Sequence, residues 1–134
     1  ASGRSSTWGT ADDYIATEDA SVCLGVMIEK RGAIEQLDEL LSVPELGFVF
    51  MGPGDLAVQL GHPGEKSPPE VLETIEAVRD AALEASVPVG RICHDPEAAT
   101  AALADGYQIV RIGGELEAAR TTLADRLDRI DTGR

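Results

Sequence analysis

Two carboxylates stand where apolar runs end. Glu29 closes Met27-Ile28-Glu29, and Asp55 follows the second run in Met51-Gly52-Pro53-Gly54-Asp55-Leu56. If the two runs are neighbouring strands of a parallel sheet, both carboxylates reach one rim, where α/β folds bind their ligands. Paired carboxylates with open positions suit a hard divalent cation that keeps waters and a substrate oxygen. The donor set does not choose among Mg²⁺, Mn²⁺ and Co²⁺. Between them, Gly52-Pro53-Gly54 allows close backbone approach, so successive N–H groups can point at one anion. A helix starting at Leu56–Leu60 would add its positive end. A carboxylate-bearing ligand beside the metal is the natural occupant. Plainer roles exist for the same residues: Asp55 suits the cap of Leu56–Leu60, and Gly-Pro-Gly suits a simple turn. His62 and His94 read as solvated loop histidines. Cys93-His94 has no matching second pair for a zinc site, and neither a P-loop nor G-x-G-x-x-G is present.

The elements that would position these residues alternate regularly. Residues 1–9 read as loop, and Asp12–Asp19 as a short helix with Tyr14 and Ile15 as its apolar side. Val22–Ile28 is a continuous apolar run, as in a strand buried on both faces. Gly32–Val43 carries Ile34, Leu37, Leu40 and Leu41 at amphipathic-helix spacing. Phe48–Met51 is the second strand. Pro68–Ala85 is the longest helix, with Val71, Leu72, Ile75, Val78, Ala82 and Leu83 on one side and its prolines in the first turn. Val87–Ile92 is a strand and Glu97–Ala104 a helix stopped at Gly106. Ile109–Ile112 is the last strand, and Glu115–Ile130 the closing helix. Four strand–helix units imply parallel pairing, either as half of an eight-stranded (β/α)8 barrel or as an open doubly wound sheet.

Composition narrows the partners. The 134 residues are one domain's worth, 43% hydrophobic, with 24 acidic against 11 basic residues and a net charge of −13. Such a surface repels nucleic-acid phosphates and anionic lipid, so neither nucleic acid nor membrane is an expected partner. An acid-rich, lysine-poor surface suits a high-salt, halophilic cytoplasm, where screening offsets self-repulsion. No apolar run is long enough for a membrane span and no secretion leader is visible, so a cytoplasmic location is expected. Cys23 and Cys93 read as buried free thiols in a reducing cytosol.

On these residues the chain resembles the HpcH/HpaI aldolase/citrate lyase family. Val26-Met27-Ile28-Glu29 is similar to the family's strand ending in Ile-Glu. Phe48-Val49-Phe50-Met51-Gly52-Pro53-Gly54-Asp55-Leu56 resembles its Gly-Pro-x-Asp-Leu signature, followed by Leu60-Gly61. The likeness takes in Ala33-Ile34, Leu37 to Leu41, the helix to Ala85, Pro88–Ile92 and Gly106–Gly113, roughly residues 5–130. It implies a TIM barrel of which this chain supplies βα units five to eight. The activity implied is metal-dependent class II cleavage of 2-keto-4-hydroxy acids to pyruvate and an aldehyde. Glu29 and Asp55 would hold the metal, and Gly52, Pro53, Gly54 and Asp55 would line the pyruvate site, with the backbone at Gly54 and Asp55 binding the carboxylate. The family's catalytic arginine and histidine–aspartate elements belong to the first half of the barrel, ahead of the stretch that this chain resembles. Thr7 stands where the family often has Arg, and Ala57 where it often has Ser. A homo-oligomer with Glu115–Ile130 packed on a neighbour is also implied. Two other activities fit less closely: a citrate lyase-type CoA-ester lyase, and a non-catalytic half-barrel that serves as an assembly module.

Overall fold

The computed structural model describes residues 14–65 and 68–130. The expected loop at residues 1–9 and the first two residues of the short helix lie outside them. The chain runs α1 (Tyr14–Ser21), β1 (Leu24–Ile28), α2 (Arg31–Glu35), α3 (Leu37–Leu41), β2 (Leu46–Met51), α4 (Pro53–Gln59), α5 (Pro69–Glu84), β3 (Val89–Ile92), α6 (Pro96–Ala104), β4 (Ile109–Arg111) and α7 (Glu115–Asp128). The four strands form one parallel sheet in the order β1-β2-β3-β4. The order never reverses, so the sheet has no switch point of the doubly wound kind.

Register divides the strand residues into two faces. Val26 pairs with Val49, Ile28 with Met51, and Val49 with Val89. These side chains face the helices, and Ile28, Val49, Met51 and Val89 are fully buried. Leu56 and Ala57 of α4, Val71, Ile75, Val78 and Ala82 of α5, and Ala99 and Ala102 of α6 complete that core. In α5 the four buried positions fall at helical spacing, and Pro69 opens the helix where a missing N–H costs nothing. Asp95 caps α6 by accepting a hydrogen bond from the Ala98 N–H at 2.7 Å.

The opposite face carries Gly25, Met27, Phe48, Phe50, Gly90, Ile92 and Ile109, and no described helix covers it. Phe48 lies over Gly25, and the Phe50 ring passes 2.5 Å from where a Cβ on residue 90 would be. The two rings thus shield backbone that a side chain would otherwise cover. This corrects the reading of the first strand as buried on both sides: Met27 is 52% exposed, and Val22 lies outside β1 and is exposed. An apolar run reports that a strand avoids water in the finished assembly, not which element covers each face.

Four local expectations also change. The helix expected over 32–43 is two five-residue pieces broken at Gln36, whose φ of −115° and ψ of 27° are not helical. Cys93 is buried as expected, but Cys23 is exposed. Leu72, expected on the buried side of α5, is 43% exposed. Ile112 lies beyond β4, which ends at Arg111.

Three helices end in one manner. After α4, the Gly61 N–H bonds Val58 O and the His62 N–H bonds Ala57 O; after α6, Gly106 and Tyr107 bond Leu103 O and Ala102 O likewise. Both glycines have φ of +93°, the left-handed conformation this motif requires. After α5 the same pair of bonds is made with Ser86 at that position, at φ 59°.

Candidate functional site

Glu29 follows β1 directly, and Gly52 follows β2. The Gly52 N–H donates to Ile28 O at 3.0 Å, so the ladder carries the two residues side by side beyond the last strand pair. A Cβ on residue 52 would sit 2.9 Å from both Cβ and Oε2 of Glu29, and 3.3 Å from Sδ of Met27. The glutamate carboxylate therefore occupies space that only glycine leaves open. It is half-buried on the uncovered face of the sheet, with Met27 beside it.

Helix α4 begins three residues earlier than the sequence suggests. Gly52 is its N-cap, Pro53 its first residue, and no side chain caps it. Asp55 is thus the third helical residue rather than the cap, which removes the capping role as the reason for an acidic residue there. Its side chain is exposed, while Leu56 and Ala57 next to it anchor α4 in the core. A helix's first N–H groups have no intrahelical acceptor. Pro53 has none to offer, and Leu56 N–H already bonds Gly52 O. Among the described residues, the N–H groups of Gly54 and Asp55 have no acceptor, and nothing lies within 4 Å of a Cβ position on Gly54. Two donors thus open toward solvent beside the rim that carries Glu29.

The site is stabilised from below by a contact that sequence spacing does not reveal. Arg31, at the start of α2, donates from Nη2 to Gln59 O at the last turn of α4, at 3.2 Å. A cation at a helix C-terminus is favourable, and here it ties the loop after Glu29 to the helix that carries Asp55. Twenty-eight residues separate the partners, and nothing in the local pattern marks them.

The two histidines part company. His62 pairs with Glu70 at 3.1 Å and serves the loop between α4 and α5. His94 is exposed beyond β3. Among the described residues, no group of three or more His, Cys, Asp or Glu side chains converges as a metal cage. Glu29 stands at the end of β1 and Asp55 in the first turn after β2, so the carboxylates offered at these neighbouring strand ends are two. That fits hard cations which retain several waters and take further oxygens from a substrate.

Comparison with known proteins places these motifs in context. The HpcH/HpaI aldolase/citrate lyase family model matches residues 4–122. The chain is 36% identical over 124 residues to the 2-keto-3-deoxy-L-rhamnonate aldolase of Salmonella paratyphi A, covering 92% of this chain and 46% of that protein. The same enzyme from Salmonella typhimurium matches equally, at 36% identity over 92% of this chain. Among solved structures, an HpcH/HpaI aldolase/citrate lyase family protein from Burkholderia cenocepacia superposes with a TM-score of 0.81 at 27% identity, over 93% of this chain and 49% of its own. An HpcH/HpaI aldolase from Desulfitobacterium hafniense has the same fold, with a TM-score of 0.79 at 24% identity over 95% of this chain and 52% of its own. The chain spans about half the length of the relatives it matches.

Proposed function

The chain belongs to the HpcH/HpaI aldolase/citrate lyase family, and on that premise we propose that it supplies the C-terminal four βα units of a (β/α)8-barrel aldolase. The Salmonella relatives are 2-keto-3-deoxy-L-rhamnonate aldolases, which supports a carbon–carbon lyase as the function class. The proposed reaction is divalent-metal-dependent cleavage of 2-keto-4-hydroxy acids to pyruvate and an aldehyde. The observation that carries it is Glu29 lying over Gly52 at the end of adjacent parallel strands, with Asp55 in the first turn that follows.

In this reading Glu29 and Asp55 hold the cation, Mg²⁺, Mn²⁺ or Co²⁺. The residues fit it: two carboxylates, and a backbone cleared of any Cβ beside one of them. When bound, the cation would supply Lewis-acid stabilisation of negative charge developing on the substrate's keto oxygen. Gly52 leaves room for the Glu29 carboxylate. Pro53 fixes the turn into α4. The N–H groups of Gly54 and Asp55 donate to the pyruvate carboxylate, which the positive end of the local backbone favours. The groups that move protons at the aldehyde end belong to the half of the barrel not represented by this chain. Turnover is therefore a property of the whole protein.

Helix α7 has no buried residue, and Leu116, Leu123, Leu127 and Ile130 are exposed along it and just after it. We read this apolar stripe as the surface that packs on a neighbouring subunit of a homo-oligomer.

Thermal unfolding in high salt, with and without Mn²⁺ plus pyruvate, tests the site. At about 100 times its dissociation constant a ligand adds about 2.7 kcal/mol of stability. The expected result is a metal-dependent rise in melting temperature that disappears in Asp55→Ala and in Glu29→Gln. A shift that survives both substitutions would show that the metal lies elsewhere.

A further inference from the structure

The ends of β3 and β4 and the first turns of α7 enclose a cavity of 310 Å³. His94, Arg111, Gly113, Gly114 and Glu117 stand on its wall. Arg111 ends β4, and its guanidinium lies against the backbone of residue 114, where a Cβ would fall 2.8 Å from Nη2. Glycine at 114 is what lets the arginine adopt this position. Among the described residues the Arg111 side chain makes no ion pair and no hydrogen bond, although its backbone carbonyl accepts from the Cys93 N–H; Glu117 shares the wall without pairing to it. Other cations of this acid-rich chain, Arg91 and Arg120 among them, also lack an ion pair among the described residues, so a role for Arg111 needs a reason beyond its charge.

Register supplies one. Ile28 pairs with Met51, so Glu29 stands opposite Gly52. Phe50 pairs with Gly90, which sets Gly52 level with Ile92, and Ile92 pairs with Arg111. Glu29, Gly52, Ile92 and Arg111 therefore form one row across the four strands. They share the uncovered face, because a Cβ on Gly90 would meet both Phe50 and Ile109, and Arg111 is two residues beyond Ile109. Three strand spacings of about 4.8 Å put the two ends of the row about 14 Å apart along the sheet. The two residues thus stand at opposite ends of one row on the same face of the sheet.

We propose that Arg111, with His94 beside it, binds an oxyanion, a phosphate or second carboxylate carried on the end of an elongated ligand remote from the Glu29–Asp55 end. The guanidinium is planar, permanently charged and matched to two oxygens at once, which suits phosphate and carboxylate equally. His94 lines the same cavity and can add a donor. The proposal rests on the keto-acid reading of the Glu29 end only for the ligand's orientation; the anion site itself stands on the residues at the β4 end. It gives Arg111 the part of a specificity-determining residue, one that favours ligands with charge at both ends over ligands with a neutral tail.

The test uses the whole 134-residue chain, with inorganic phosphate and, separately, propionate as probes at constant ionic strength. Thermal unfolding and the amide NMR shifts of Gly113 and Gly114 report binding. The expected result is that at least one probe raises the melting temperature and moves both amides, in the wild type and in Glu29→Gln alike. Arg111→Gln should weaken that probe at least tenfold while leaving the ligand-free melting temperature unchanged, because the side chain is exposed. Arg111→Lys should retain part of the binding. A response to phosphate alone identifies a phosphorylated ligand, and a response to propionate alone a carboxylate. No response to either probe in the wild type overturns the proposal, as does an undiminished response in Arg111→Gln. Glu29→Gln separates the two sites: loss of Mn²⁺ and pyruvate binding there, with phosphate or propionate binding intact, leaves this inference standing whatever becomes of the metal reading.

Discussion

The Oε2 of Glu29 stands 2.9 Å from the point where residue 52 would carry a Cβ, so the glutamate's position depends on residue 52 having none. Gly52→Ala should displace Glu29 at its Cβ as well as its carboxylate, since both lie 2.9 Å from the new Cβ. We expect Mn²⁺ affinity to fall at least tenfold, read by calorimetric titration, with a modest fall in melting temperature. Gly54→Ala is the matched control. Nothing lies within 4 Å of its Cβ position, and alanine keeps the N–H. It should bind Mn²⁺ as the wild type does. Equal loss in both variants would mean that the turn's flexibility matters and not the space beside Glu29.

Leu56 follows Asp55 and is fully buried, so it fixes the helix that presents the carboxylate. Leu56→Ala removes that anchor and leaves a cavity, at a cost of about 2–5 kcal/mol. Denaturant unfolding should show the loss as a lower midpoint. Leu116→Ala, on a side chain 84% exposed in α7, should change the midpoint of the isolated chain negligibly. A large effect there in a concentration-dependent assay would instead report the subunit contact.

Much of this arrangement is legible in the residues, and the exceptions have causes. All four strands and the helices α5, α6 and α7 follow from apolar runs and breakers, because those signals are local. The start of α4 is missed by three residues, since Gly52-Pro53-Gly54 reads as a turn although Pro53 is suited to a first helical position. The break at Gln36 is missed because Ile34, Leu37, Leu40 and Leu41 keep helical spacing across it. The places of Glu29 and Asp55 at strand ends are legible; the reason Glu29 fits, the bare backbone at Gly52, is not, because it requires the β1–β2 register. Arg111 is hidden for another reason. It stands inside an otherwise apolar run, Ile109-Val110-Arg111-Ile112, and only the pairing of Ile92 with Arg111 shows which face it takes.

Ser86 occupies the left-handed position at the end of α5 that glycine fills after α4 and α6. A non-glycine residue there costs about 1–2 kcal/mol in backbone strain. Part of that is returned on substitution, against the greater freedom glycine has in the unfolded chain. Ser86→Gly should therefore raise stability by about 1 kcal/mol, seen as a higher denaturant midpoint with unchanged slope. An unchanged or lower midpoint would mean the serine's conformation is not strained.

Tyr107 is 2% exposed, its hydroxyl has no hydrogen-bond partner among the described residues, and the Arg91 guanidinium lies 5.3 Å from its ring centre. Burial pushes the phenol above its ordinary value of 10.0, against a smaller opposing pull from the Arg91 charge. The folded protein thus holds the phenolic proton more tightly than the unfolded chain. Its contribution to stability is complete below pH 10 and is lost as pH rises through the elevated value. Tyr107→Phe keeps the ring under Arg91 and removes both the ionisable group and the unsatisfied hydroxyl. At neutral pH the variant should be as stable as the wild type or more so, since a buried hydroxyl without a partner is costly. Above pH 10 it should lose less stability than the wild type. Melting curves from pH 7 to 11 on both proteins would check this, and parallel curves across that range would show that the phenol's proton has no part in alkaline unfolding.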